Sequence, residues 1–95
     1  MDRNQAFADP ATIEEAAKTL EGFAMRVRDF DNRLENQLNR LGATFQDESY
    51  ERFRASFEST RKLTARFVDE TASVLPKLRK DAELIRAAQH LKPIA

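Results

Sequence analysis

The first half of the chain has hydrophobic residues at intervals of seven positions. The series consists of Ile13, Leu20, Val27, Leu34 and Leu41. Residues with this spacing share one side of an α-helix and pack against a neighbouring helix of nearly parallel axis. The series therefore predicts a first helix over about residues 10–41.

A second hydrophobic position accompanies this series along the same helix. The residues three positions on are Ala16, Phe23 and Phe30. Gln37 occupies the next place in this second series, and the hydrophobic position moves by one residue to Leu38. We predict that both series together form the surface with which the helix packs or dimerises.

The start of this helix has two candidate caps. Asp9 followed by Pro10 is typical of an N-cap and a first helical residue. Thr12 with Glu15 forms a possible capping box and offers an alternative start. Residues 1–8 precede both and show no periodic pattern, so we predict a flexible N-terminal arm there.

A short turn is predicted at residues 42–47. Gly42 directly follows the last residue of the hydrophobic series, and glycine is favoured just past a helix end. Asp47 is suited to cap a second helix, and Glu48 then lies in a first turn that favours negative charge. Thr44 with Asp47 offers a competing capping box.

The second half of the chain has apolar and aromatic residues at alternating intervals of three and four. They are Tyr50, Phe53, Phe57, Thr60, Thr64, Phe67, Thr71, Val74, Leu78, Ile85 and Ala88. This spacing predicts a second helix over about residues 48–91, and Phe57, Phe67, Val74, Leu78 and Ile85 are predicted to pack or dimerise. Pro76 removes one backbone hydrogen bond and crowds the preceding turn, so we predict a bend near it.

Charged residues four positions apart occupy the predicted outer faces of both helices. The pairs are Glu14–Lys18, Asp29–Arg33, Glu48–Arg52 and Glu58–Lys62. Such pairs stabilise a solvated helix surface.

Two long helices and a short turn predict an all-α fold, an antiparallel helical hairpin that forms one domain over residues 9–92. The apolar stripe of the second helix is broader than one helix can cover, and soluble monomers seldom expose such a patch. We therefore predict that hairpins pair, as a coiled-coil-like four-helix bundle and in the simplest case as a homodimer.

The composition of the chain argues against several functional classes. It has 95 residues, a formal net charge of zero and no cysteine. A neutral balance disfavours nucleic-acid binding, and no apolar run reaches the ~20 residues that membrane insertion as a helix requires. The N-terminal sequence is polar and acidic, unlike a cleaved signal peptide. We expect a protein that is cytoplasmic, or secreted without a cleaved signal peptide.

The sequence shows no residue pattern typical of catalysis, and we predict no cofactor and no metal. His90, the only histidine, falls near the end of the second helix, where a solvated side chain is typical. The adjacent Asp69 and Glu70 point to different faces of a helix. The basic cluster at residues 61–66 is interleaved with acidic residues along the helix, which indicates a solvated face rather than a phosphate-binding surface.

The stretch FQDESYERF, residues 45–53, lies at the predicted turn. It resembles the turn of the WXG-hundred family of type VII secretion, small helical hairpins with the motif Trp-x-Gly-x-Ala-Ala-x-x-Phe. Phe45 stands at the Trp, Asp47 at the Gly, Ser49 and Tyr50 at the two Ala, and Phe53 at the Phe. We expect Phe45 to be buried over Phe53, where it would close the end of the hairpin. The alternative is that both are ordinary core aromatics at a helix junction.

The resemblance implies a bacterial, non-enzymatic, protein-binding hairpin that is a secreted substrate, or an adaptor or chaperone for a larger partner. The chain departs from the family pattern at the Trp and the Gly. It also departs at the export signal Tyr-x-x-x-Asp/Glu, because Tyr50 is followed four residues later by Arg54. An intracellular structural dimerisation module with no secretion role is the alternative interpretation.

Overall fold

Two helices make up the described part of the chain in a computed structural model. The structure describes residues 9–45 and 47–91. Helix α1 spans Pro10–Gly42 and helix α2 spans Glu48–Leu91, with lengths of 33 and 44 residues. No strand occurs within these ranges. The predicted arm at residues 1–8, the last residues from 92 onward and Gln46 lie outside the described residues.

Helix α1 begins at Pro10 because Asp9 acts as its N-cap. The Asp9 carboxylate accepts a hydrogen bond from the Ala11 amide at 3.1 Å and another from the Thr12 hydroxyl at 3.1 Å. The Asp9 carbonyl accepts the first intrahelical bond, from the Ile13 amide. Of the two candidate starts, the Asp9–Pro10 pair is the one that the structure uses.

Helix α2 begins in the same way, with Asp47 as N-cap. The Ser49 amide donates to the Asp47 carboxylate at 2.8 Å, and the Glu51 amide donates to the Asp47 carbonyl at 3.0 Å. Thr44 does not form the competing capping box, because its hydroxyl bonds to the Leu41 carbonyl. Helix α2 continues through Pro76, and the bend near that residue stays a prediction.

The helix pair divides into two compact units, and ion pairs within unit 1 show that α1 and α2 run antiparallel there. Unit 1 comprises the chain up to Gly22 and from Thr71 onward, and unit 2 comprises Phe23–Glu70. In unit 1, Glu14 pairs with Arg86. Glu21, which follows Glu14 in α1, pairs with Arg79, which precedes Arg86 in α2. The fold is therefore an antiparallel helical hairpin, as predicted.

Small side chains form the core of unit 1. Ala17 and Ala82 are completely buried. Leu75 and Thr71 are buried beside them, with 7% and 4% of their surface exposed. Side chains of this size let two helix backbones approach closely. Three of these four buried residues are small, and the fourth is a leucine.

Larger side chains form the core of unit 2. Leu38 and Phe57 are each 6% exposed, and Ala24 is 5% exposed. Phe57 alone buries more apolar surface than the alanines of unit 1, and burial of a large aromatic side chain is worth a few kcal/mol. Phe57 is the largest buried residue of this unit.

The register of α1 differs from the predicted one at the second hydrophobic position. The residues that face α2 lie four positions after the first series, not three: the buried Ala17, Ala24 and Leu38, with Asp31 between them. Phe23 and Phe30 are instead 50% and 61% exposed. Leu38 therefore marks no shift in the pattern but continues the true register.

Candidate protein-binding surface

Four phenylalanines of unit 2 lie on one side of the helix pair. We call this set, Phe23, Phe30, Phe53 and Phe67, the aromatic stripe. Phe23 of α1 and Phe67 of α2 meet across the helix pair, with ring centroids 5.6 Å apart in an edge-to-face arrangement. Phe30 is seven residues from Phe23, and Phe53 is fourteen residues from Phe67. Such multiples of seven keep residues on one face of each helix, so the contact at Phe23 aligns the whole set.

The aromatic stripe is open to solvent in the hairpin. Phe23, Phe30 and Phe53 are exposed by 50%, 61% and 52%, and Phe67 is half-buried. Leu63, on the next helical position of α2 toward its outer edge, is 64% exposed. An isolated exposed apolar residue is ordinary, but several large apolar side chains exposed on one side of a helix pair make that side a candidate interaction surface.

Ion pairs occupy the opposite side of unit 2. Glu35 lies five residues after Phe30, which places it about 140° away around α1. Its carboxylate pairs with Arg61 and lies 3.8 Å from Arg54. Arg61 also donates to the Asn32 side chain at 2.8 Å. The two sides of this unit therefore differ: one is held by polar cross-helix contacts, and the other is apolar and exposed.

A polar contact also lies in the middle of the unit 2 core. The Thr64 hydroxyl donates to the Asp31 carboxylate, which stands at a position where an apolar residue is usual. Such polar residues cost stability but fix the register of paired helices. The pattern of hydrophobic residues gave no signal for this contact. It also shows that Arg61, predicted to belong to a solvated face, contacts α1 instead.

The corner between the helices is built around Tyr50. Its hydroxyl donates to the Leu38 carbonyl at 2.6 Å, and its ring lies over Gly42. A Cβ atom on Gly42 would come within 2.9 Å of the Tyr50 Cζ atom, which is closer than such atoms pack. Gly42 is the last residue of α1 and has no left-handed φ. It is therefore needed for the approach of Tyr50, not for the helix-end conformation that the sequence suggested.

Phe45 does not close the hairpin over Phe53, and this prediction is wrong. Phe45 packs edge-on against Tyr50 with ring centroids 6.4 Å apart, and it is 45% exposed. Its amide donates to the Leu41 carbonyl at 2.8 Å, which holds it in the turn. Phe53 lies in the aromatic stripe and is itself half exposed. Phe45 does not reach Phe53 because the Tyr50 ring occupies the space beneath the turn, next to Gly42.

The other predicted interface residues divide between core and surface. Leu38 and Phe57 are buried, whereas Leu41 and Val74 are exposed by 46% and 37%. The half-buried residues are Ile13, Leu20, Val27, Leu34, Leu78 and Ile85. Their burial reflects contacts within the hairpin, and their membership of an interface with a partner stays a prediction.

The cross-helix ion pairs were missed because sequence spacing reveals only pairs within one helix. Of the predicted pairs, Glu48–Arg52 is present at 3.3 Å. The other three are replaced: Glu14 pairs with Arg86, Asp29 with Arg28, and Glu58 with Arg54.

Two clefts formed by the described residues are small or open to solvent. The cleft lined by Arg28, Asp31, Arg61 and their neighbours has a volume of about 170 Å³, below the ~300–1,000 Å³ of typical ligand sites. A larger one of about 510 Å³, lined by Arg86, Ala87, Gln89 and His90, is a shallow depression open to solvent. Within residues 9–45 and 47–91, no group of His, Cys, Asp or Glu could hold a metal ion. In the same ranges, neither helix has an apolar segment that could cross a membrane.

The fold defines the class of the molecule, a small antiparallel helical hairpin. The family model described as "Proteins of 100 residues with WXG" matches residues 7–89. The chain therefore belongs to this family of small helical proteins of the type VII secretion kind. Comparisons with curated proteins and with solved structures give no significant match.

Proposed function

We propose that this protein is a non-enzymatic binding hairpin of a type VII secretion system and that it pairs with a second helical hairpin through the aromatic stripe. The observation that carries the proposal is the exposure of three phenylalanines, Phe23, Phe30 and Phe53, on the same side of unit 2. Covering this side with two further helices would give a four-helix bundle. In that role the protein serves as a secreted substrate, or as an adaptor or chaperone for a larger partner.

The distribution of contacts in unit 2 supports the aromatic stripe as the binding side. The opposite side already has its polar groups paired, through Arg61, Arg54 and Glu35. A partner on that side would have to break or desolvate these ion pairs, at a cost that burial of apolar surface does not incur. Aromatic side chains contribute most of the binding energy in many interfaces, because they bury a large area with few rotatable bonds.

The test is a double substitution, Phe30→Ser with Phe53→Ser. Neither ring has an aromatic contact within the described residues, so the hairpin should stay folded. We expect at least a tenfold loss of pairing, measured by sedimentation equilibrium, either for the chain alone at high concentration or for the chain mixed with a family hairpin encoded by the same host.

The matched control is Met25→Ser. Met25 is 50% exposed, as much as Phe23, but it lies two residues further along α1, about 200° around the helix axis. The control should pair like the wild type. Unchanged pairing of the double variant, with circular dichroism showing that it is folded, would contradict the proposal. A protein that pairs as proposed but is never captured by a secretion component would instead be a structural dimerisation module.

A further inference from the structure

Three arginines line the outer edge of the aromatic stripe on α1. We call this set, Arg26, Arg33 and Arg40, the arginine row. Its members are seven residues apart and all are exposed. Arg26 lies three residues after Phe23 and four before Phe30, so its side chain is next to both rings on the helix surface. A partner that covers the stripe therefore meets the arginine row as well.

The charge of the arginine row is not neutralised by any carboxylate in the described part of the chain. In residues 9–45 and 47–91, none of the three arginines has a carboxylate within ion-pair distance. Asp29 is close to Arg26 and Arg33 in sequence, but its carboxylate lies 4.0 Å from Arg28 instead. The arginines on the ion-pair side of unit 2 differ, since Arg54 and Arg61 both reach Glu35.

A second copy of this chain does not supply the missing negative charge. If α1 of the copy lies against α1, the arginine row meets another arginine row, and the like charges repel. If α2 of the copy lies there instead, the corresponding outer edge in unit 2 is made of Ser56, Leu63 and Glu70. A single carboxylate in that edge matches only one of the three arginines.

We propose that the hairpin paired with this chain is a different protein, one that presents a row of carboxylates seven residues apart on the helix that lies against α1. This inference rests on the proposed function, because it requires the stripe to be the binding side. Charges at the rim of an interface act mainly on the choice of partner and on the rate of association. The arginine row then selects an acidic hairpin over a second copy of this chain.

The probe for this proposal is the chain itself with its row reversed, Arg26→Glu, Arg33→Glu and Arg40→Glu. This acidic copy keeps the aromatic stripe, and Glu resembles Arg in helix propensity. Because the row is centred on Arg33, antiparallel contact of the two α1 helices sets each arginine against a glutamate. We expect the mixed pair to bind about tenfold more tightly than either protein binds itself, and to lose this preference at high salt. Native mass spectrometry and sedimentation measure both quantities.

Two control copies separate the arginine row from charge in general. In the first, Arg26, Arg33 and Arg40 are changed to Gln, which removes repulsion without adding attraction, so its affinity should be intermediate. In the second, three exposed basic residues on other faces of α2 are reversed: Arg52→Glu, Lys62→Glu and Arg66→Glu. It should show no preference for the wild type.

Several results would overturn the proposal. One is self-pairing of the wild type that is as tight as the mixed pair. Another is an equal gain in affinity for the wild type when the control copy has Arg52, Lys62 and Arg66 reversed. A third is that the wild type binds phosphatidylserine vesicles, that the acidic copy does not, and that the wild type shows no preference for the acidic copy in solution. That result would assign the row to a lipid surface. If mixed pairing survives Phe30→Ser with Phe53→Ser in both chains, the stripe is not the binding side, and the proposed function fails together with this inference.

Discussion

In both units α1 packs against α2, but the two units have different residues at the same helical position. In unit 2 the position next to the helix–helix contact holds Phe23, Phe30 and Gln37 on α1. On α2 of that unit it holds Phe53, Thr60 and Phe67. In unit 1 the equivalent residues are Ala16 on α1 and Val74, Asp81 and Ala88 on α2. Unit 1 is nonetheless packed, with Ala17 and Ala82 completely buried.

The comparison teaches that large aromatic residues at this position are not needed to hold the helices together. In the ranges that the structure describes, unit 1 pairs its helices through buried aliphatic residues without a buried aromatic ring. It also has the ion pairs Glu14–Arg86 and Glu21–Arg79, both with oxygen and nitrogen atoms 2.8 Å apart. Exposed ion pairs of this kind contribute about 0.2–1 kcal/mol each. The aromatic residues of unit 2 therefore need another explanation, and a partner provides one.

The largest expected effect comes from a phenylalanine that belongs to the core. Phe57→Ala should destabilise the hairpin by about 3–5 kcal/mol, because the side chain is 6% exposed and its removal leaves a cavity. Phe30→Ala, at 61% exposure, should change the free energy of unfolding by about 0.5 kcal/mol or less. Thermal or urea unfolding at a concentration where the chain is monomeric measures both, and equal losses would contradict the distinction between core and stripe.

An intermediate effect is expected at the corner of unit 2. Gly42→Ala should cost about 1–3 kcal/mol, because the added methyl group overlaps the Tyr50 ring. If that overlap is the cause, Gly42→Ala should cost much less in a Tyr50→Ala background, and a double-mutant cycle measures the difference. Independent, additive losses would show that Gly42 has a role unrelated to Tyr50.

A smaller effect is expected for Phe45, since it is half exposed. Phe45→Ala should cost about 0.5–1.5 kcal/mol, the value of an edge-on aromatic contact, rather than that of a buried ring. Phe45→Trp should be tolerated because the site is open on one side. A loss of 3 kcal/mol or more for Phe45→Ala in thermal unfolding would restore the original prediction that this ring closes the hairpin.

Parts of this structure were predictable from sequence because they depend on local chemistry. Asp9 and Asp47 cap the two helices through bonds to residues two positions on. The repeating hydrophobic positions were likewise enough to predict two helices, and the short turn between them predicted an antiparallel hairpin. These features need no knowledge of which residues meet across the helices.

Which side of α1 faces α2 could not be predicted in this way. Hydrophobicity favours Phe23 and Phe30 over Ala24 and Asp31 as core residues, yet Ala24 is buried and the Asp31 carboxylate accepts a hydrogen bond from Thr64 of α2. A side chain that is apolar but kept for a partner is indistinguishable in sequence from one that fills the core. The role of Tyr50 was missed for a related reason, since its contact with Leu38 spans the turn.

The most direct test of the central claim is the accessibility of individual phenylalanine rings. Fluorine NMR of 4-fluorophenylalanine, assigned by single substitutions and read with a soluble paramagnetic agent, reports each ring in the free and in the paired state. We predict that Phe23, Phe30 and Phe53 are accessible in the free chain and protected on pairing, whereas Phe57 is protected in both states. Stripe rings that stay accessible in the pair would contradict the account.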